Sequence, residues 1–432
     1  MSSEVAEHAL KSLCLLVVDC PHATPKWTES GVVVLRNQNI KGGRLDLSSP
    51  SFTDEEHYQG RVRRAVPQAG DIVMTREAPM GDVCQIPRGL RCCVGQRQVL
   101  LRPDPKKIDG RFLLFALQSP YVQRQIGWNE GTGSTVSNLR IPVLEALRIP
   151  TSSLPDQLEI AETLGALDDR IAVLRETNAT LEAIAQALFK SWFVDFDPIL
   201  AKQQGLPPAG IDEATAALFP GSFEESALGL VPKGWSVQAV GDVVECVGGA
   251  TPDTKNPNYW SPEEHAWTTP KDLSGLASPV LLRTERQLSS NGLAKIGSGM
   301  LPVGSLLMSS RAPIGYLAIA QIPVAINQGY IAMPPGGPLP PLYMLFWCQQ
   351  NMERIKARAN GSTFMEISKK AFRPILVLVP PRPVIDAFMA LATALFDRLV
   401  ENELQAQTLT TLRDTLLPRL ISGQLRLPEA LP

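Results

Sequence analysis

The sequence predicts an α/β chain in which two β-rich mixed domains, related by internal duplication, are each followed by one long helix. Three observations predict it: a sustained heptad seam, a second copy of that seam near the C-terminus, and a matching series of landmarks ahead of each. The first seam is Leu164, Leu167, Ile171, Leu174, Asn178, Leu181, Ala185 and Leu188, stepping by three and four residues as coiled-coil a and d positions do. Only Asn178 is polar, and one polar seam residue commonly sets register or partner choice. Moving each position by 228, the separation of Leu181 and Leu409, gives Ala392, Leu395, Leu399, Asn402, Ala406, Leu409, Arg413 and Leu416. All but Asn402 and Arg413 are apolar, and Asp169-Arg170-Ile171 recurs as Asp397-Arg398-Leu399.

In chain order, residues 1–152 read as a mixed, mostly β domain. The runs 31–36 and 70–75 are β-branched and led by glycine, as strands are; 111–118 suits a short helix, and 131–135 (G-T-G-S-T) a polar loop. The first long helix occupies 153–194, with Ser153, Pro155 and Asp156 as its start and Pro198 expected to stop it. A Pro-, Gly- and acid-rich linker, 195–230, carries one helical patch at 212–218. The second domain, 231–380, repeats the landmarks of the first, and the second long helix takes 381–426. Thr24-Pro25 matches Thr251-Pro252, Asn39-Ile40 matches Asp272-Leu273, and M-T-R-E-A-P-M-G at 74–81 matches M-S-S-R-A-P-I-G at 308–315. Gln96 matches Gln328, and Gly133-Ser134-Thr135 matches Gly361-Ser362-Thr363.

Composition excludes several classes. With 44% apolar and 19% charged residues the chain has ample core material and is not a disordered polymer. No apolar run approaches the roughly 20 residues that span a bilayer, and the N-terminus lacks a cationic start with a cleavage site, so a cytoplasmic protein is expected. The seven cysteines contain no C-x-x-C pair and the four histidines are scattered, so neither a metal site nor a catalytic triad is expected. The net charge of −2 divides unevenly: residues 1–152 and 231–380 are each net +4, while 153–230 are net −9. Two basic domains separated by acidic helices permit anion binding at two places, although fluctuation of a few charges gives the same numbers.

Equal-phase seams would let the two helices pair antiparallel as a coiled coil within the chain, with the domains at opposite ends of a rod. From Leu164 to Leu188 a helix rises about 36 Å at roughly 1.5 Å per residue. One turn of B-DNA is about 34 to 36 Å, so the helices could act as a ruler. An ordinary helical hairpin fits the same spacing.

The plan of domain, helix, domain, helix resembles the specificity subunit of type I restriction-modification systems over essentially the whole chain. The resemblance is densest in S-W-F-V-D-F-D-P at 191–198, T-A-A-L-F-P at 215–220 and P-K-G-W at 232–235. Gly248-Gly249-Ala250-Thr251-Pro252, Tyr259-Trp260, T-P-K-D-L at 269–273 and Asn327-Gln328-Gly329 extend it, with Ala250 departing from the usual G-G-T-P. The resemblance implies two target-recognition domains that each read half of a split, asymmetric double-stranded DNA target. It also implies helices that set the unread spacer and dock two adenine-methyltransferase subunits, to which motor-nuclease subunits are added for restriction. S-adenosylmethionine, ATP and magnesium would be used by those partners and no cofactor by this chain, which lacks G-x-x-x-x-G-K-[ST] and G-x-G-x-x-G loops. No catalytic residue is expected here.

Candidate DNA contacts follow from chemistry and repeated position. Arg, Lys, Asn and Gln read base edges, while small polar loops grip phosphate. The candidates are Arg76 and Arg311 in matching loops, Gln96 and Gln328, Asn37, Asn39, Lys271, and the loop residues Ser134, Thr135, Ser362 and Thr363. Any of them could instead serve the fold through a surface hydrogen bond. Arg61, Arg63 and Arg64 form a basic run suited to phosphate or to a solvated face. A self-sufficient enzyme, which would need a nucleophile-base or paired-carboxylate constellation, and a coiled-coil adaptor that never touches DNA are the competing classes.

Overall fold

Glycine-led, β-branched runs form strands where the sequence places them, at Val32–Leu35 and Ile72–Arg76. A computed structural model describes residues 5–128, 138–361 and 365–427. It divides into two compact units, Met1–Ile171 with Thr408–Pro432, and Ala172–Gln407.

In the first unit an antiparallel sheet runs in the order Cys14–Asp19, Gln98–Pro103, Ile72–Arg76, Met80–Gln85. Side chains on a strand alternate between faces. Ile72, Met74, Val99 and Leu101 therefore meet the helix Gly110–Gln118 through Phe112 and Phe115, while Val73 and Leu100 turn to Leu35 and Cys92 on the other side. Those last two belong to a sheet in the order Ser51–Thr53, Val32–Leu35, Cys92–Val94, antiparallel then parallel. Asp109 caps the helix by accepting from the backbone N–H groups of Arg111 and Phe112. Ala6–Ala9 and Arg148–Thr151 close the domain as an antiparallel pair.

The second unit repeats this plan. Its sheet order is Val280–Leu281, Ile314–Ala320, Leu306–Ser310, Tyr330–Met333. Its smaller sheet, Arg286–Leu288, His265–Thr268, Ala325–Ile326, has the same antiparallel and parallel senses. Ser236–Ala239 pairs with Leu376–Val379. Both central hairpins carry a register shift at the same place, between Met74 and Arg76 and between Met308 and Ser310. The copies differ at their edges: the strand Cys14–Asp19 is reduced in the second to a bridge between Val247 and Ala332.

The two long helices are Leu154–Phe193 and Arg382–Ile421, 40 residues each. Asp156 N donates to Ser153 Oγ at 3.3 Å, the expected start. The first ends at Phe193 without help from Pro198. Phe196 turns left-handed, with φ 56°, and Pro198 instead opens the next helix, Asp197–Gln203, where a missing N–H costs little. Leu164, Ile171, Leu174, Asn178, Ala185, Leu399, Asn402 and Ala406 are buried, and Leu167, Leu181, Leu188, Leu395, Leu409, Arg413 and Leu416 half-buried. Leu164 shares the first unit's core with Leu417 and Leu420, and there Arg413 Nη1 meets Asp168 Oδ1 at 2.7 Å. In the second unit Ala185, Ala392 and Leu399 share one core.

The segment 195–230, expected as a linker, is folded against the second unit. Besides the helical patch Glu213–Ala217 it forms the helix Asp197–Gln203 and, running on into the second domain, a hairpin of Phe223–Ser226 with Gly229–Pro232, and it buries Ile199 and Phe219. Its short elements are held by aromatic burial, which the Pro- and Gly-rich composition conceals. Trp192 lies edge-on to Phe219 at 5.1 Å between ring centroids, and Trp235 meets Phe193 at 6.0 Å and Phe196 at 6.1 Å. Burying each such ring contributes roughly 1.5–3 kcal/mol. The strings 191–198, 215–220 and 232–235 thus converge as packing. Among the described residues no helix is long and apolar enough to cross a membrane.

Candidate nucleic-acid interface

The candidate residues of the first domain gather where Val32–Leu35 and the central hairpin end. A one-turn helix at Asn37–Asn39 follows the first strand. Asn39 is 3% exposed; its Oδ1 accepts from Arg36 N at 2.9 Å and its Nδ2 donates to Asp46 O at 2.9 Å. Asn37 Nδ2 donates to Glu77 O at 2.6 Å, and its Oδ1 accepts from Gln98 Nε2 at 3.3 Å. Gln96 Nε2 donates to Thr24 Oγ1 at 3.2 Å. Arg76, 6% exposed, is spent inside: Nε donates to Leu139 O at 2.8 Å, Nη2 to Asn138 Oδ1 at 3.3 Å, and Nη1 pairs with Asp19. Arg61 is likewise internal, donating to Val94 O at 3.0 Å and Ala23 O at 2.9 Å, so it braces the loop before Thr24. Arg63 and Arg64 are exposed.

The second domain builds the same place with other residues. Asp272 accepts from Thr269 N at 2.7 Å, the capping that Asn39 gives Arg36. Thr251 Oγ1 donates to Gln328 Oε1 at 2.6 Å, so each domain ties its Thr-Pro loop to its glutamine. Asn327 Oδ1 accepts from Gly329 N at 2.8 Å and shapes that turn. Lys271 is exposed and paired with Glu285 at 2.8 Å, which holds its ammonium above the ordinary lysine range. Arg311 faces an open cavity of about 550 Å³, shared with Lys356, Met365 and Glu366. Tyr330 bonds Thr268 at 3.0 Å, and burial pushes its hydroxyl pKa up, so it stays protonated. Ser134, Thr135, Ser362 and Thr363 lie outside the described residues.

Arg76 and Arg311, candidates in matching loops, do not hold equivalent positions. Arg76 pairs across its hairpin with Met80, and Ser310 with Ile314, so Ser310 is the counterpart of Arg76 and Glu77 that of Arg311. The strand-end residue facing the interior is arginine in one copy and serine in the other, and the arginine one step further on belongs to the loop. Sequence reasoning also passed over Arg97, Thr24, Thr251 and Arg286. The threonines were visible as the Thr-Pro repeat. Arg286 stacks 3.5 Å from the Trp260 ring, beside the Tyr259-Trp260 string, but nothing in sequence joins them. Among the described residues no three His, Cys, Asp or Glu side chains gather as a metal site.

Both copies of the duplicated domain resemble known proteins. The model of the type I restriction modification DNA specificity domain matches twice, at residues 26–183 and 232–393. The MjaIX type I restriction enzyme specificity subunit of Methanocaldococcus jannaschii is 36% identical over 185 residues, 42% of either chain. The HindI specificity subunit of Haemophilus influenzae is 26% identical over 410 residues, 85% of this chain and 88% of its own. The crystal structure of the type I restriction-modification S subunit from M. genitalium shares the fold, with TM-score 0.54 at 18% identity over 97% of each chain. The duplicated chain belongs to the family of type I restriction-modification DNA specificity subunits.

Proposed function

We propose that the chain is the non-catalytic recognition subunit of a type I restriction-modification complex and reads a split, asymmetric target in double-stranded DNA. Each domain takes one half-site. The observation that carries this is the repeated turn: Gln96 on Thr24 and Thr251 on Gln328 hold the same place in two copies whose exposed side chains have diverged. A duplicated reader with altered contacts suits two different half-sites.

The long helices pair antiparallel as a coiled coil and set the unread spacer. Supporting this, helix contacts run in opposite order along the two sequences, Asp168 with Arg413 and Asn178 with Asn402, and Ala185 shares one core with Ala392. The helices also dock two methyltransferase subunits, and motor-nuclease subunits complete the restricting complex in the cytoplasm. S-adenosylmethionine, ATP and magnesium serve those partner chains.

Methylated-base sequencing of host DNA with and without the gene tests this reading. The expected result is a split motif carrying methyladenine that disappears on deletion. An unchanged methylome, together with no salt-dependent DNA affinity of the purified complex, would contradict it.

A further inference from the structure

Backbone hydrogen bonds align the two domains residue by residue around one turn. Arg76 N donates to Arg97 O at 2.8 Å, and Leu139 N to Arg76 O at 2.9 Å. In the second domain Ser310 N donates to Gly329 O at 2.8 Å, and Ile367 N to Ser310 O at 3.0 Å. Position 97 therefore equals 329. Glu77 and Asn138, joined as an antiparallel bridge, equal Arg311 and Glu366, joined in the same way.

Three loops thus meet at one place in each domain, with the charges dealt differently. In the first, Arg97 supplies the guanidinium and Glu77 the carboxylate, with Nε to Oε2 at 3.1 Å. Glu77 is itself held, accepting from Asn138 Nδ2 at 2.7 Å and, at its backbone O, from Asn37 Nδ2 at 2.6 Å. Arg97 has a left-handed backbone, φ 64°, and its side chain is 57% exposed. Non-glycine residues held there concentrate at ligand sites. In the second domain a Cβ on Gly329 would lie 2.9 Å from Pro270 Cγ, so that turn has no room for a side chain. The arginine comes instead from the neighbouring loop, as Arg311, with Glu366 as counter-ion 3.8 Å from Nη1, beyond hydrogen-bonding distance.

Each domain therefore offers a guanidinium at the same place beside a carboxylate, exposed for Arg97 and partly exposed for Arg311. For Arg97 the carboxylate sits at Nε, the side of the guanidinium away from the Nη1 and Nη2 pair, and two such parallel donors are what contacts guanine O6 and N7 bidentately. We propose that Arg97 and Arg311 are the specificity-determining residues of the two domains, each reading one guanine in its own half-site. Arg76, in the loop that matches that of Arg311 but one position earlier, has no such role. This deepens the bipartite reading and rests on it.

The test uses the full chain with its methyltransferase subunits, as Arg97→Ala, Arg97→Lys and Arg311→Ala, read by methylated-base sequencing and by competition binding with half-site variants. Arg97→Ala should lose roughly 5- to 150-fold discrimination at one G·C position of one half-site and leave the other intact. Arg311→Ala should do so in the other half-site. Arg97→Lys, which keeps the charge without the fork, should relax the same position as Arg97→Ala and carries the test if the alanine variant melts early. An unchanged motif with uniformly weaker binding and a salt slope reduced by about one marks a phosphate contact and overturns the proposal. Unchanged motif and affinity also overturn it. A wild-type complex with no split motif fails the bipartite reading itself, and the proposal with it, before any variant is compared.

Discussion

Asn402 Nδ2 donates to Asn178 Oδ1 at 2.9 Å, while Asn178 Nδ2 donates to Leu399 O at 3.2 Å, both amides being almost fully buried. Two polar residues that sequence could only place on matching seams thus satisfy each other. Asn178→Leu alone strands the Asn402 amide and should destabilise the chain by about 1–3 kcal/mol. Asn178→Leu with Asn402→Leu should recover that loss or exceed the parent, because an apolar pair leaves nothing unsatisfied. Denaturant melts of the four proteins measure the coupling, and additive effects would argue against the contact.

Arg76 and Arg97 should separate cleanly. Removing the buried Arg76 takes the guanidinium from Asp19, leaving it only His22 as an ion-pair partner, and strands the Leu139 carbonyl and the Asn138 side-chain oxygen, so Arg76→Ala should cost about 3 kcal/mol. Arg97→Ala, at an exposed pair, should change the melt by less than about 1 kcal/mol. A thermal melt in which Arg97 proves the costlier loss would reverse these assignments.

Helix length should set the spacer. Seven residues inserted after Asn178, with seven inserted before Asn402 to keep the facing seam in phase, lengthen both helices by about 10.5 Å. At about 3.4 Å per base pair, the target spacer should grow by about three with both half-sites preserved. Methylome sequencing reads this directly, and an unaltered spacer would rule out the ruler.

Exchange of residues 231–380 for the corresponding domain of a relative should alter one half-site and leave the other. A change in both half-sites would show that the domains do not read separately.

The thiols should be inert. Burial pushes Cys84 and Cys92 from the ordinary 9.0 up to about 12, so both stay protonated in the native protein throughout the neutral range. The raised folded value also means that stability is intact below pH 9 and declines as pH rises from about 9 towards 12, where only the unfolded thiols ionise readily. At pH 8 a thiol reagent should label these positions only after denaturation, as mass spectrometry of the peptides would record. Rapid native labelling would contradict their burial.

What the sequence by itself determined is whatever repeats at short range or between copies. Heptad spacing exposed the helices because one buried stripe demands apolar residues every three or four positions, and strand runs such as 70–75 showed for the analogous reason at period two. The duplication was legible because both copies keep the same turns, as Asn39 and Asp272 show by capping the same one-turn helix. Tertiary structure alone decided which polar groups remain free. Arg76 looked like a reader, yet Asp19 and Leu139, 57 and 63 residues away, consume it. Arg97 looked unremarkable, yet Glu77, itself held by Asn138 from a third loop, pairs with it. The segment 195–230 reads as a linker until Trp192 and Trp235 close over Phe219. In each case the deciding contact joins side chains far apart in sequence, and burial or hydrogen bonding at such a distance leaves no periodicity to read.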